Sequence, residues 1–77
     1  MAVRAYVLVN TALGKVEDVV KRLSGIEGIK SADCVTGPYD VIACIEAEDY
    51  KALIKLVPEK IHKVEGITRT LTCIATG

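Results

Sequence analysis

The sequence predicts an α+β domain with four short strands and two helices in the order β-α-β-β-α-β. Apolar strand patterns recur at Val3 to Asn10, Ile29 to Thr36, Val41 to Ala47 and Ile67 to Ala75, and helical i, i+3, i+4, i+7 spacing marks the two stretches between them. Each helix also returns through the same kind of turn: Ile26-Glu27-Gly28-Ile29 after the first and Val64-Glu65-Gly66-Ile67 after the second. The echo marks the chain as a doubled unit.

Taken in order, the first strand places Val3, Ala5, Val7 and Val9 on one face and Tyr6 and Leu8 on the other, so it is apolar on both sides. The first helix follows, with Val16, Val19, Val20 and Leu23 forming its apolar stripe between Gly14 and Gly25. Lys30, Ser31 and Asp33 interrupt the second strand, which suits a sheet edge. The third strand sets Val41, Ala43 and Ile45 against Ile42 and Cys44 and belongs in the sheet interior. Asp49 opens the second helix, with Tyr50, Leu53, Val57, Ile61 and Val64 as its buried stripe. Pro58 lies inside it, removes one backbone donor and crowds the preceding turn, so a kink or break is expected near Val57. The last strand alternates Thr68, Thr70 and Thr72 against Ile67, Leu71 and Cys73, which makes one face a threonine ladder.

Between the second and third strands lies Thr36-Gly37-Pro38-Tyr39-Asp40, the densest turn signal in the chain. Glycine supplies unusual dihedrals, proline pre-sets φ and aspartate closes turns with its own side chain, so a β-hairpin hinges here. The same residues put a carboxylate, a phenol and free backbone N–H groups in one exposed loop, where binding chemistry concentrates.

Right-handed crossovers then place the first and third strands in the centre, read as a parallel pair, with the second and fourth outside. The arrangement is the ferredoxin-like split βαβ fold: a four-stranded antiparallel sheet with both helices on one face. The opposite face is left bare and apolar, with Tyr6, Leu8, Ile42 and Cys44 as the residues to line it, and a second copy of the chain is the expected cover.

Composition narrows the function classes. The 77 residues make one domain, near the size at which a single core gives only a few kcal/mol of stability. Half of the chain is hydrophobic, yet no run reaches the roughly 20 apolar residues that span a bilayer. The first strand is short and β-branched, unlike a signal peptide, and no membrane association is expected. Ten basic residues balance ten acidic ones, so no overall field draws the chain directly to nucleic acid. Cys34, Cys44 and Cys73 form no C-x-x-C pair, which argues against zinc and redox centres and for buried, reduced thiols in a cytoplasmic protein. His62, the single histidine, sits beside Lys60 and Lys63 and reads as solvated. With no nucleophile motif, phosphate loop or metal constellation, no catalytic residue, metal or cofactor is expected.

Nearly the whole chain resembles the effector-binding domain of the Lrp/AsnC (feast/famine) transcription regulators. The resemblance rests on Ala5-Tyr6-Val7-Leu8-Val9, on the Thr36-Gly37-Pro38-Tyr39-Asp40 turn and on the closing Gly66-Ile67-Thr68-Arg69-Thr70-Leu71-Thr72. With no N-terminal helix-turn-helix domain, the chain is similar to the stand-alone members of that family. The resemblance implies an amino-acid sensor whose dimers assemble further, with the ligand held between dimers, and a full-length regulator of the family as a further partner. Residue chemistry agrees with that reading and suggests which residues would hold such a ligand. Asp40 would accept from the ammonium, backbone N–H groups near Gly37 and the hydroxyls of Thr70 and Thr72 would donate to the carboxylate, and Tyr39 would wall the side-chain pocket with Pro38 beside it. The plain alternative is that Asp40 caps its turn and the threonines are solvent-facing strand formers. Two other readings share the element order: an ACT-like effector domain, which pairs its sheets side by side, and a small dimeric α+β barrel enzyme, against which the missing catalytic set argues.

Overall fold

The computed structural model describes residues 2–76. Strands β1 (Val3–Thr11), β2 (Ile29–Cys34), β3 (Val41–Ala47) and β4 (Ile67–Ile74) and helices α1 (Val16–Ser24) and α2 (Tyr50–Leu56) follow the expected order. They form one sheet in the order β2-β3-β1-β4, with β1 and β3 inside and β2 and β4 at the edges.

The two central strands run antiparallel, not parallel as the crossover reading had them. A helical crossover makes β1 parallel to β2, and the hairpin reverses the chain between β2 and β3. Inserted between β1 and β2, β3 is therefore antiparallel to both.

The register decides which parity meets the helices. Ala5, Val7 and Val9 of β1 and Val41, Ala43 and Ile45 of β3 are fully buried beneath Val19, Leu23, Leu53 and Ile61 of the helical layer. On the other face Tyr6 pairs with Cys44 and Cys73, and Leu8 with Ile42 and Leu71. None of the described residues covers these two rows: Tyr6 is 40% and Leu71 47% exposed. The cross-strand pair Arg4–Glu46 closes one end of the face, with Nη2 of Arg4 2.9 Å from Oε2 of Glu46. The Glu46 hydrogen bond, ahead of the remaining contacts, raises the Arg4 pKa above its ordinary value.

Asp49 opens α2 as expected, its carboxylate accepting the Ala52 N–H at 2.8 Å. At Pro58 the helix changes character. α2 ends at Leu56 and passes into a π-helical turn, Val57–Ile61, in which the His62 N–H reaches back five residues to the Val57 carbonyl at 2.9 Å. Proline offers no N–H to the carbonyl four residues before it, so the backbone widens. The wider turn keeps Val57, Ile61 and Val64 on the core. Tyr50 does not belong to that stripe. It lies 52% exposed in the first turn, at the sheet end near Val3 and Arg4, where the core has run out.

The two echoed turns are the points at which the halves interlock. Gly28 and Gly66 both have left-handed backbones, φ 98° and 101°. A Cβ on Gly28 would stand 3.2 Å from Leu56 of α2; one on Gly66 would stand 3.1 Å from both Lys15 and Val19 at the α1 end. Each glycine lies in the turn that leads from one helix back to the sheet and packs against the other helix. Their carbonyls then accept N–H groups just beyond or near the ends of the central strands, Glu46 on Gly28 at 2.9 Å and Ala12 on Gly66 at 2.7 Å.

All three cysteines are free, and Cys34 and Cys73 are exposed where burial had been expected, because both occupy edge strands. Cys34 pairs with the core-facing Val41 while Cys44 lies on the bare face, so the sheet separates these two thiols.

Candidate functional site

The 36–40 turn joins β2 to β3 beside the end of β1. Thr36, Gly37 and Pro38 are exposed, and Tyr39 and Asp40 are half-buried. Gly37 takes φ 151° with open space where a Cβ would stand, so the loop tip is unpacked.

Asp40 is held on three sides. Its N–H donates to the Val9 carbonyl at 2.9 Å and its carbonyl accepts the Val35 N–H at 2.9 Å. One carboxylate oxygen, Oδ2, accepts the Thr11 N–H at 2.8 Å and lies 3.4 Å from the Thr11 hydroxyl. β1 outruns β3 here, and the side chain supplies the acceptor that a further residue of β3 would have supplied. Asp40 thus caps the neighbouring strand as well as shaping its own loop. Its other oxygen, Oδ1, makes no hydrogen bond among the described residues, and a carboxylate has capacity for more than it uses here.

Thr70 and Thr72 lie elsewhere. They pair with Val9 and Val7, on the helix-facing side of the edge strand β4. Asp40 meets β1 from the β3 side at Val9, and Thr70 meets the same residue from the β4 side. Two strand spacings, roughly 9.5 Å, separate the two backbones. Val9 between them is fully buried. The residues expected to converge on one ligand are therefore divided within a single chain.

Two further residues enter the picture. His62 is exposed but not free: its Nε2 lies 2.7 Å from the Thr70 hydroxyl. Eight residues separate them in the chain, and only the return from the π-helical turn to β4 joins them. The pair borders a cleft of about 290 Å³ lined by His62, Ile67, Thr68, Arg69 and Thr70. Asn10, opposite Arg69 in the register, keeps its Oδ1 buried and without a hydrogen-bond partner among the described residues. Its polar side chain directly after the apolar run Ala5 to Val9 was the signal the sequence offered. Among the described residues no group of histidine, cysteine and carboxylate side chains has the arrangement of a metal site.

The chain is thus a ferredoxin-like sheet with one bare face and a polar loop at the end of its central strands, a fold that by itself fixes no function. Residues 4–77 match the model of the Lrp/AsnC ligand binding domain, and the chain belongs to that family. It is 31% identical over 73 residues to an uncharacterized HTH-type transcriptional regulator, PH0140 of Pyrococcus horikoshii, covering 95% of this chain and 46% of the relative. The chain thus spans about half the length of the regulator it matches. A homocitrate synthase of Sulfurisphaera tokodaii is 38% identical over 56 residues, which are 73% of this chain but 12% of that enzyme. Among solved structures, FFRP-DM1 superposes with a TM-score of 0.90 at 38% identity, over 96% of this chain and 99% of its own. The hypothetical protein PHS023 from Pyrococcus horikoshii gives 0.90 at 36% identity, over 100% and 92%. E. coli AsnC shares the fold at 18% identity, with a TM-score of 0.90 over 97% of this chain and 51% of its own. No helix among the described residues is long and apolar enough to cross a membrane.

Proposed function

We propose that residues 1–77 form a single sensing and oligomerisation module that binds a free amino acid between copies of itself and transmits that binding through assembly. The observation that carries this reading is the division of the polar site by Val9. Asp40, with one carboxylate oxygen uncommitted, and Thr70, on the far side of β1, both carry groups suited to a small zwitterion, and the fully buried Val9 lies between them. A second chain closes the site. Gly37, Pro38 and Tyr39 then frame the ligand from one copy, and Thr70 and Thr72 from another.

The bare sheet face supports assembly independently. Its apolar rows, Ile42-Leu8-Leu71 and Cys44-Tyr6-Cys73, have a polar boundary at Arg4 and Glu46, the layout of an interface centre with its rim. The chain exposes 5185 Å², against roughly 4,600 Å² for a compact monomer of its mass. Packing two such faces together makes a two-fold dimer, and the half-sites at the sheet ends then join dimers into a larger assembly. In this reading the module has no catalytic role and acts in the cytoplasm on a full-length Lrp/AsnC regulator.

A second reading keeps the sensing and changes the recipient. The match to a small part of homocitrate synthase favours a module that adjusts a biosynthetic enzyme in response to an amino acid. Thermal-shift measurements against the twenty common amino acids, paired with sedimentation velocity, test the shared core of both. An amino acid at 100 times its Kd stabilises the binding state by about 2.7 kcal/mol. Because it bridges copies, it must also shift the chain toward the larger species. No response from any of the twenty would remove the sensing role. Co-sedimentation with a purified Lrp/AsnC regulator or with homocitrate synthase separates the two recipients.

A further inference from the structure

We propose that the outer face of α2, where Tyr50 and Ile54 stand exposed with Glu48 and Asp49 before them and Lys51 and Lys55 beside them, is a second self-association surface that joins two copies of the chain with their α2 helices antiparallel. The surface belongs to the helical layer, on the opposite side of the molecule from the bare sheet face, and it needs no ligand.

The helix commits only part of its apolar surface to the core. Leu53 is buried and Leu56 half-buried. Tyr50 and Ile54, four positions apart and so neighbours on one helix face, are 52% and 59% exposed. Single apolar residues at a surface need no explanation, but these two adjoin and are framed by charge. Glu48, Asp49, Lys51 and Lys55 are all exposed, and none of them forms a salt bridge among the described residues. Asp49 gives one carboxylate oxygen to the Ala52 N–H and keeps the other.

The order of the charges names the occupant. They run from acidic to basic along the helix, so the face complements its own copy turned end for end, as an isologous contact requires. An antiparallel two-fold centred on Ala52 sets Tyr50 against Ile54 of the second copy and Asp49 against Lys55 of the second copy, and symmetry makes each contact twice. A parallel arrangement would set every charge against itself. Six side chains on each copy fall well short of the roughly 20–30 residues a side of a standard interface, so the surface serves copies already paired through the sheet, each pair presenting two such faces. In that respect the inference rests on the sheet-packed dimer proposed above.

The test is sedimentation velocity of the full chain without amino acids, from micromolar to millimolar concentration and at low and high sodium chloride. Species larger than the sheet-packed dimer are expected to grow with concentration and to recede with salt, because exposed ion pairs are screened whereas apolar sheet packing is not. Lys51→Glu with Lys55→Glu makes the face wholly acidic. Glu48→Lys with Asp49→Asn makes it basic and keeps a side chain at 49 that can cap the helix. Each double variant alone should associate about tenfold or more weakly, since the two-fold axis applies every change twice. Mixed in equal amounts they should restore the larger species, an outcome that misfolding cannot give. Ile54→Ala should weaken the contact with the circular dichroism spectrum unchanged. A chain that stops at the dimer up to millimolar concentration would overturn the assignment and leave the face to a different protein. So would larger species that persist unchanged in both double variants, or double variants that do not complement each other when mixed. Leu8→Glu reads the sheet contact separately, so the failure of one surface is told from the failure of the other.

Discussion

Asp40 holds the end of the neighbouring strand: its Oδ2 accepts the Thr11 N–H at 2.8 Å, across 29 positions of sequence. One oxygen of the carboxylate is structural and the other is uncommitted, so the two roles separate by mutation. Asp40→Asn keeps an oxygen to accept from Thr11 but removes the charge. Ligand affinity should fall by about tenfold or more, the worth of a charge-assisted bond. Calorimetry with whichever amino acid stabilises the parent chain measures it. Asp40→Ala also strands the Thr11 N–H and should lower stability by about 1–3 kcal/mol in urea denaturation. Equal affinity in parent and Asp40→Asn would leave Asp40 a structural residue only.

Leu8 sits on the bare face between Ile42 and Leu71, one residue from the fully buried Val7. Leu8→Glu should therefore yield a folded monomer at micromolar concentration, its charge left in water once the partner is lost. Val7→Glu places the charge in the core and should unfold the chain. Light scattering reads the first outcome and circular dichroism the second. A Leu8→Glu chain that stays associated would move the interface off this face.

Gly66 combines a left-handed backbone with a close approach, whereas a Cβ added at Gly14, where φ is 78°, would meet nothing within 4 Å. Both Gly→Ala changes strain the backbone by about 1 kcal/mol or more. Only Gly66→Ala also pushes against Lys15 and Val19, so its loss of stability should be the larger. Thermal unfolding of the two variants gives the order directly.

Nucleic acid is the remaining expectation. With ten basic and ten acidic residues the chain lacks the charge to displace counterions from a phosphate backbone. Electrophoretic mobility of duplex DNA and of RNA should be unchanged by the chain at physiological salt. Retention that weakens steeply with added salt would overturn this.

Strand β3 was legible to the residue, because the 36–40 turn signal precedes its apolar run and the helix start at Asp49 follows it. The break at Val57 was legible because proline acts locally, through a missing donor and a ring that crowds the preceding turn. The Glu-Gly turns were visible as a repeat, and so was the existence of an apolar face beyond what the helices could cover. Each of these is set by neighbours within a few positions along the chain.

What only the tertiary structure decided depends on residues distant in sequence. The alternation in β1 made both faces apolar, so periodicity could not choose between Val7 and Leu8, and the choice came from where the crossovers laid the helices. The direction of β3 against β1 followed from strand insertion, not from either strand's composition. Cys34 and Cys73 read as buried because they sit in apolar runs, and edge positions expose them. Asp40 found Thr11, and His62 found Thr70, through the meeting of strand ends and a helix return that local pattern does not encode. The sequence by itself determined the elements and the chemistry available to them; tertiary packing decided which groups share a cleft, because a hydrogen bond needs a separation near 3 Å, and only the folded backbone sets distances of that kind between remote residues.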